Sequence, residues 1–273
     1  MNMDFAAKLM ERTGKGYLSY SAIKFAADGA DQQDMKLFEL YMKGKLYKES
    51  DAFTFGSVYD KLLLEPETFT DEFYVIYDEE IVKEIGGSKP RSTKKYKDWK
   101  EEESHTAIES GKRVITEDLI KQAEDMIVRL DESEIMNPDT GEMIPVRRFL
   151  QGKAQYEIVD WIEDIPVRGF LDVRGDGFIT DSKTTRSLSG FKWDVGKMSY
   201  DIQAFIYSHV EAEPNFYWVA QSKSVPYTVA VYKASKRTLS MGEAKFWSAI
   251  TNIMRWLDSP EKETSSFAIY KEI

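Results

Sequence analysis

The chain has 273 residues, with 47 acidic against 37 basic side chains, a net charge of −10, two histidines and no cysteine. The lack of cysteine excludes a disulfide scaffold, a zinc finger, an iron–sulfur centre and thiol catalysis. With only His105 and His209, any metal is expected to be a hard cation on carboxylates, Mg²⁺ or Mn²⁺. No apolar run approaches the roughly 18 residues of a membrane span, and the first residues hold no apolar core of signal-peptide length, so a soluble, intracellular protein is expected.

Up to Leu64 the pattern is helical. Ser21-Ala-Ile-Lys-Phe starts one helix, and Met35, Leu37, Phe38, Leu40 and Tyr41 mark the apolar face of another. A third runs from Phe55 and stops at Glu65-Pro66. The segment Lys83 to Lys100 holds seven basic and two acidic residues before Glu101, Glu102 and Glu103; with Gly86 to Glu103 so polar, a mobile loop or arm is expected. Thr116 precedes Glu117 and Asp118 at the start of a fourth helix, with Leu119, Ile120, Ala123, Met126, Ile127 and Leu130 at helical spacing, and Asn137-Pro-Asp-Thr-Gly141 reads as a turn. From Gln155 the period changes to strands over 155–161, 166–175 and 178–184, then a helix over 201–210 and strands over 216–221 and 227–232. Ser240 with Glu243 forms a capping box for a last amphipathic helix. No linker divides the chain. A single mixed α/β domain over 1–273 is expected: a mainly helical part over 1–150, a sheet core over 151–235 and a C-terminal helix.

The informative stretch lies between Val167 and Thr185. Asp176-Gly177, between two apolar runs, predicts a two-residue type I′ hairpin, which puts Asp172 across from Asp181. Opposed like charges on neighbouring strands destabilise them, and Phe170, Leu171, Val173, Phe178 and Ile179 predict strands buried on both faces, where an unpaired carboxylate is costly. A divalent metal between the two aspartates resolves the conflict. Lys183 projects from the same face two residues on. With a short turn at Glu163-Asp164, Glu157 falls opposite Phe170, one diagonal step from Asp172, which predicts a cluster of Glu157, Asp172, Asp181 and Lys183. The plainer reading of the same spacing is a solvent-facing group of acids neutralised by Lys183.

Gly169-Phe-Leu-Asp172 followed by Asp181-Ser-Lys183 resembles the split acid … (D/E)-x-K signature of the PD-(D/E)XK nucleases. Tyr156-Glu157-Ile-Val-Asp-Trp161 and Gln203-Ala-Phe-Ile-Tyr207 resemble the preceding acidic strand and the Q-x-x-x-Y helix of the RecB/RecE-type branch. Phe55 to Pro66 resembles a helix of exodeoxyribonuclease VIII and related phage exonucleases. The resemblance covers residues 18–232 and implies a restriction-endonuclease-like core, a mixed sheet flanked by helices with an N-terminal helical extension. It implies that Asp172, Asp181 and the Ser182 carbonyl bind Mg²⁺ or Mn²⁺, that Glu157 completes or extends the site, and that Lys183 orients and helps to deprotonate the attacking water. Gln203 and Tyr207 would orient the lysine or contact DNA near the cut; without the resemblance they read as an exposed helix former and a core residue. Where many relatives carry a histidine ligand this chain has Asp60, either a further ligand or a surface acid.

The implied activity is a metal-dependent DNA exonuclease of phage or prophage type, cytoplasmic in a bacterial host, acting on linear duplex or single-stranded ends. The alternatives are a structure- or single-strand-specific endonuclease and a non-catalytic DNA-binding member of the fold. A homo-oligomer and a phage single-strand annealing protein are the other partners the resemblance implies. Arg186, Lys192 and Lys197 follow the D-x-K strand closely and are candidates for phosphate contacts. Lys94 and Lys95, with Lys89, Arg91 and Lys97, form either a DNA clamp or a solvated loop. Trp193 is expected in the core, with stacking on a frayed base as the alternative.

Overall fold

A computed structural model describes residues 3–28, 34–46, 51–109, 111–137 and 140–259. The elements run α1 (Met3–Thr13), α2 (Tyr20–Ala26), α3 (Met35–Met42), α4 (Asp51–Leu64), α5 (Phe69–Glu72), β1 (Phe73–Ile76), α6 (Glu79–Ile85), α7 (Lys94–Glu109), β2 (Arg113–Thr116) and α8 (Glu117–Asp131). They continue with β3 (Glu134–Met136), β4 (Met143–Pro145), β5 (Lys153–Ile162), β6 (Ile165–Arg174), β7 (Ile179–Thr185), α9 (Phe191–Lys197), α10 (Tyr200–Val210), β8 (Phe216–Ser222), β9 (Val229–Lys233) and α11 (Lys236–Asp258). Where the sequence predicts one domain, the chain forms two compact units: Met1–Lys48 with Glu134–Ile273, and Glu49–Ser133 between them in sequence.

Local chemistry sets the helix ends of the first unit. Ser19 Oγ accepts the Ala22 N–H at the start of α2, and Asp34 accepts from Lys36 and Leu37 at the start of α3. Such caps satisfy amide donors that a helix start leaves unpaired. The last helix opens earlier than its predicted capping box. Ser235 Oγ takes the Thr238 N–H at 3.1 Å, so Ser240 and Glu243 lie inside α11. The same serine-led spacing occurs twice in this stretch, and the first instance caps. Of the turn expected at Asn137 to Gly141, Pro138 and Asp139 lie outside the described residues; its ends meet through Gly141 N–H to Asn137 O at 2.8 Å and join β3 to β4.

The main sheet has the order β5-β6-β7-β8-β9 and is antiparallel except for the parallel β7–β8 pair, whose crossover carries α9 and α10. Helices and sheet share one core, from Phe5 and Leu9 on α1 through Ile23 and Phe38 to Ile179, Trp218, Ile206, Phe246 and Trp256. Gly242 lets α11 approach α10 closely, because a Cβ there would stand 2.0 Å from the Asp201 carbonyl oxygen.

The second unit pairs β1 with β2 in parallel and buries Val58, Tyr59, Phe73, Ile115, Met126 and Leu130. Thr116 occupies the cap position of α8 without a side-chain capping bond. The polar stretch predicted to be a mobile arm is instead the end of α6, a short turn and helix α7. Its lysines and glutamates are straight-chain helix formers. Tyr96, Ser104 and Ala107 are buried, while Arg91 grips Asp78 through two hydrogen bonds of 2.7 and 2.9 Å. Tyr96 donates to the same carboxylate at 2.6 Å.

Candidate active site

The β6–β7 hairpin keeps the predicted register, with Val173 opposite Thr180 and Arg174 opposite Ile179. Its turn differs. Gly177 has φ +77° whereas Asp176 is absent from the residues with positive φ, so the loop is not type I′. Only the residue without a Cβ takes the left-handed conformation. Beyond Val173 the ladder stops, and the next rung would be Asp172 with Asp181. The β5–β6 ladder also skips this level, passing from Ala154–Val173 to Tyr156–Leu171, and Gln155 there has φ +44°. Asp172 therefore stands where pairing is interrupted on both sides. One of its oxygens replaces a strand carbonyl, accepting the Ser182 N–H at 2.8 Å. Further along, β6 is flanked by Leu18, whose N–H reaches Pro166 O and whose carbonyl accepts from Arg168 N–H, both at 2.9 Å.

Asp181 is 2% exposed. Gln203 on α10 donates to its Oδ1 at 2.7 Å, and Lys183 Nζ lies 2.5 Å from Oδ2, which accepts no aligned hydrogen bond. Lys183 also reaches the Ser182 carbonyl at 3.3 Å. Burial opposes the ammonium charge, but the fields of Asp181 and Asp172 outweigh it, and the Lys183 pKa is raised. Tyr207, one helical turn after Gln203, has its pKa raised by burial and then by Asp181 and Asp172, so its hydroxyl stays protonated. Gly169 makes room for that ring. A Cβ there would stand 2.7 Å from Tyr207 Cε1 and 2.8 Å from its oxygen.

The structure thus brings together Asp172, Asp181, Ser182, Lys183, Gln203 and Tyr207. It does not bring Glu157 to them. Glu157 sits opposite Phe170 as predicted, but its carboxylate accepts from Arg168 Nε at 2.6 Å, and Arg168 also donates to Tyr17 Oη at 2.8 Å. Among the described residues, no three His, Cys, Asp or Glu side chains converge to hold a metal ion. Asp60 lies on α4 in the other unit, next to buried Tyr59. The strands are not buried on both faces either. Leu171, Val173 and Ile179 are buried, but Phe170 is 47% exposed and Asp172 half-buried, so the face carrying them opens to solvent.

Of the predicted phosphate contacts, Arg186, Lys192 and Lys197 are exposed just after β7 and on α9. Trp193, expected in the core, is 71% exposed with Lys192 Nζ 5.1 Å from its ring centre; Phe191 takes the core position instead. Lys94 is exposed on α7, and Lys95 pairs with Glu84 at 2.5 Å.

Sequence reasoning missed several residues that the fold delivers to the site. Lys24 on α2 has its pKa lowered by burial and by the charge of Lys183, and Lys183 lies 5.2 Å from the Tyr200 ring centre. Tyr20 has its pKa raised, chiefly by burial. Lys223 has its pKa lowered by burial and then by neighbouring Arg186. A cleft of about 410 Å³ opens beside Asp172, lined among others by Lys15, Tyr17, Tyr20, Arg168 and Phe170. No spacing signal joins residues near 20 to those near 170; in the fold the Leu18 bridge and the Arg168–Tyr17 hydrogen bond do so.

A sequence-family model spans residues 19–266, and it describes a PDDEXK-like domain of unknown function, DUF3799. The chain belongs to this family. The PDDEXK-like domain has the restriction-endonuclease-like fold, a five-stranded mixed sheet flanked by helices. The crystal structure of a protein named "Putative exonuclease" from Eubacterium rectale matches with a TM-score of 0.62 at 14% identity, over 94% of this chain and 86% of that one. The crystal structure of SSO0001 aligns over 73% of this chain and 84% of its own at 16% identity, with a TM-score of 0.30. No curated protein matches the sequence. No helix among the described residues is long and apolar enough to cross a membrane.

The donor set fits a hard dication. Two carboxylates and a main-chain carbonyl would offer it oxygen donors, and Asp181 Oδ2 is a buried oxygen without an aligned donor. Mg²⁺ typically takes only one or two protein carboxylates and completes its shell with water and substrate phosphate.

Proposed function

We propose that this PDDEXK-like domain is a metal-dependent deoxyribonuclease of the RecB/RecE type that degrades linear DNA from its ends, in phage or prophage recombination or DNA processing. The observation that supports it is the juxtaposition of Asp172 and Asp181 at the interrupted ladder, with Lys183 and Gln203 closing on the buried carboxylate. In this reading Asp172, Asp181 and the Ser182 carbonyl hold Mg²⁺ or Mn²⁺. When bound, the ion supplies Lewis-acid stabilisation of the charge that builds on the scissile phosphate and eases ionisation of water. Gln203 fixes the rotamer of Asp181. Lys183, beside Asp181, orients the attacking water, helps to deprotonate it and stabilises phosphate charge. Tyr207 presents a protonated hydroxyl. Arg186, Lys192 and Lys197 contact flanking phosphates. Linear duplex or single-stranded ends are the substrate; a phage single-strand annealing protein and assembly as a homo-oligomer belong to the same proposal.

The test compares end-labelled linear duplexes with closed circles, with Mg²⁺ and with EDTA. Loss of label from linear DNA alone, abolished by EDTA and in Asp181→Ala, is the expected result. Nicking of closed circles at a similar rate would replace the exonuclease with an endonuclease. DNA binding without any cleavage would leave a non-catalytic member.

A further inference from the structure

The hairpin of β5 and β6 turns one face outward, and the residues on it are not those of an ordinary solvated surface. The register Glu157–Phe170, Val159–Arg168 and Trp161–Pro166 puts alternate residues of both strands on this face, which runs into Asp172. Phe170 is 47% exposed, Trp161 42% and Val159 70%. Arg168 lies among aromatic rings, its guanidinium carbon 5.0 Å from the Tyr17 ring centre and 5.7 Å from that of Phe170, and it is held in place by Glu157. Lys15 adds a second cation to the cleft that begins at this point. On a chain with a net charge of −10, a strip of exposed aromatic rings carrying Lys15 and a Glu157-held Arg168, and ending at the carboxylate pair, calls for a ligand.

We infer that this face is a single-strand track: bases of an unpaired DNA end stack on Phe170 and Trp161, while Arg168 and Lys15 meet the phosphates that lead to Asp172 and Asp181. The chemistry is that of sequence-tolerant single-strand binding, in which aromatic faces take bases and cations follow the backbone. A duplex cannot use it, because its base faces are already stacked. The inference rests on the nuclease reading for its direction, and it adds that unpaired ends are the preferred substrate. It also gives Glu157 a task in place of metal ligation: as a positioning residue it holds Arg168 between the rings.

The experiment measures binding of labelled oligo-dT to the full chain in EDTA, where cleavage does not interfere, alongside degradation of overhanging and blunt duplexes in Mg²⁺. Phe170→Ala and Trp161→Ala, both at exposed positions, are expected to weaken oligo-dT binding by roughly 5- to 150-fold, the range for one base–aromatic stack. Arg168→Gln is expected to lower the slope of log affinity against log salt by about 0.7, one single-strand phosphate contact. Thermal melts of each variant confirm folding. Binding and overhang degradation equal to wild type in both aromatic variants would overturn the track while leaving the nuclease intact. Wild-type binding that falls in the variants, with no cleavage under any metal, would support the track and overturn the nuclease reading. Failure of the wild type to bind oligo-dT, or binding of oligo-rU alone, overturns the DNA track.

Discussion

Lys183 does in the metal-free protein part of what a dication would do, and replacing it with methionine tests this. The side chain is 21% exposed and its partner Asp181 only 2%. Removing one member of a buried pair costs about 3–5 kcal/mol, because the other charge stays behind. The residual access of solvent to Lys183 places the expected loss near the lower end, about 3 kcal/mol, or roughly 6–12 °C in Tm for a folded unit of this size. Asp172 sharpens the effect, since its field also raises the Lys183 pKa and both carboxylates lose their counter-charge together. A lysine whose folded pKa is raised contributes stability that is complete below about pH 10 and fades only as pH climbs through the folded value. The difference between wild type and Lys183→Met is therefore flat from about pH 6 to 9. Calorimetry in EDTA and in Mg²⁺ or Mn²⁺ reads the outcome. The variant is expected to recover most of its loss on adding metal, and to bind the ion more tightly than wild type, while Asp172→Asn in the same background recovers part of it without metal. A variant that melts within about 2 °C of wild type in EDTA, or gains no more from metal than wild type does, refutes the argument.

Glu157→Gln is expected to leave the Mg²⁺ affinity within two-fold of wild type, because its carboxylate serves Arg168; a ten-fold loss by isothermal titration would make it a ligand after all. Gly169→Ala forces a Cβ against Tyr207 and is expected to cost about 1–3 kcal/mol in denaturant unfolding, falling below about 0.5 kcal/mol in a Tyr207→Leu background. In the second unit, Arg91 and then Tyr96 lower the Asp78 pKa against burial, which raises it, so the stabilisation is present above the ordinary carboxylate range and disappears as pH falls through the depressed value. Asp78→Asn is expected to cost about 1.5 kcal/mol at pH 7, the low end for charged hydrogen bonds because Arg91 is 45% exposed, and to converge with wild type once pH has fallen through the depressed carboxylate value.

Two-residue periodicity and turn chemistry carried the sheet well, because strand register depends on counting from a hairpin. Asp176-Gly177 and Glu163-Asp164 fixed the pairings of β6 with both neighbours, although the first turn has another type. Counting does not reveal which rungs stay closed. The gap at Asp172 follows from the left-handed Gln155 and from a carboxylate that captures a backbone donor, both of which are decided by tertiary packing. For the same reason counting gives Glu157 its level but not its partner: Arg168 and Asp172 are each one diagonal step away, and a guanidinium already anchored by Tyr17 meets the carboxylate with an aligned hydrogen bond. Helix α7 escaped because its apolar residues are few and its stability rests on charged helix formers and on the Asp78–Arg91–Tyr96 network, which no period of 3.6 records.

The interruption at Asp172 also explains how such a pair is tolerated in a folded chain. A continuous antiparallel ladder would fix two carboxylates on directly opposed residues with Cβ atoms roughly 5 Å apart, a destabilising arrangement. Opening the ladder gives Asp172 a backbone donor from Ser182 and half-exposure to solvent, while Asp181 stays buried behind Gln203 and Lys183. The two acids thus acquire unlike environments, one wet and one dry, with Lys183 as the counter-charge paired to the buried one. Sheet pairing lost at this level is regained from Leu18 further along β6, so residues near the N-terminus become a wall of the cleft. Cutting that bridge by Leu18→Pro, which removes the amide that reaches Pro166, disturbs the cleft and the fold together. The carboxylate pair and the cleft beside it are one consequence of the same broken ladder.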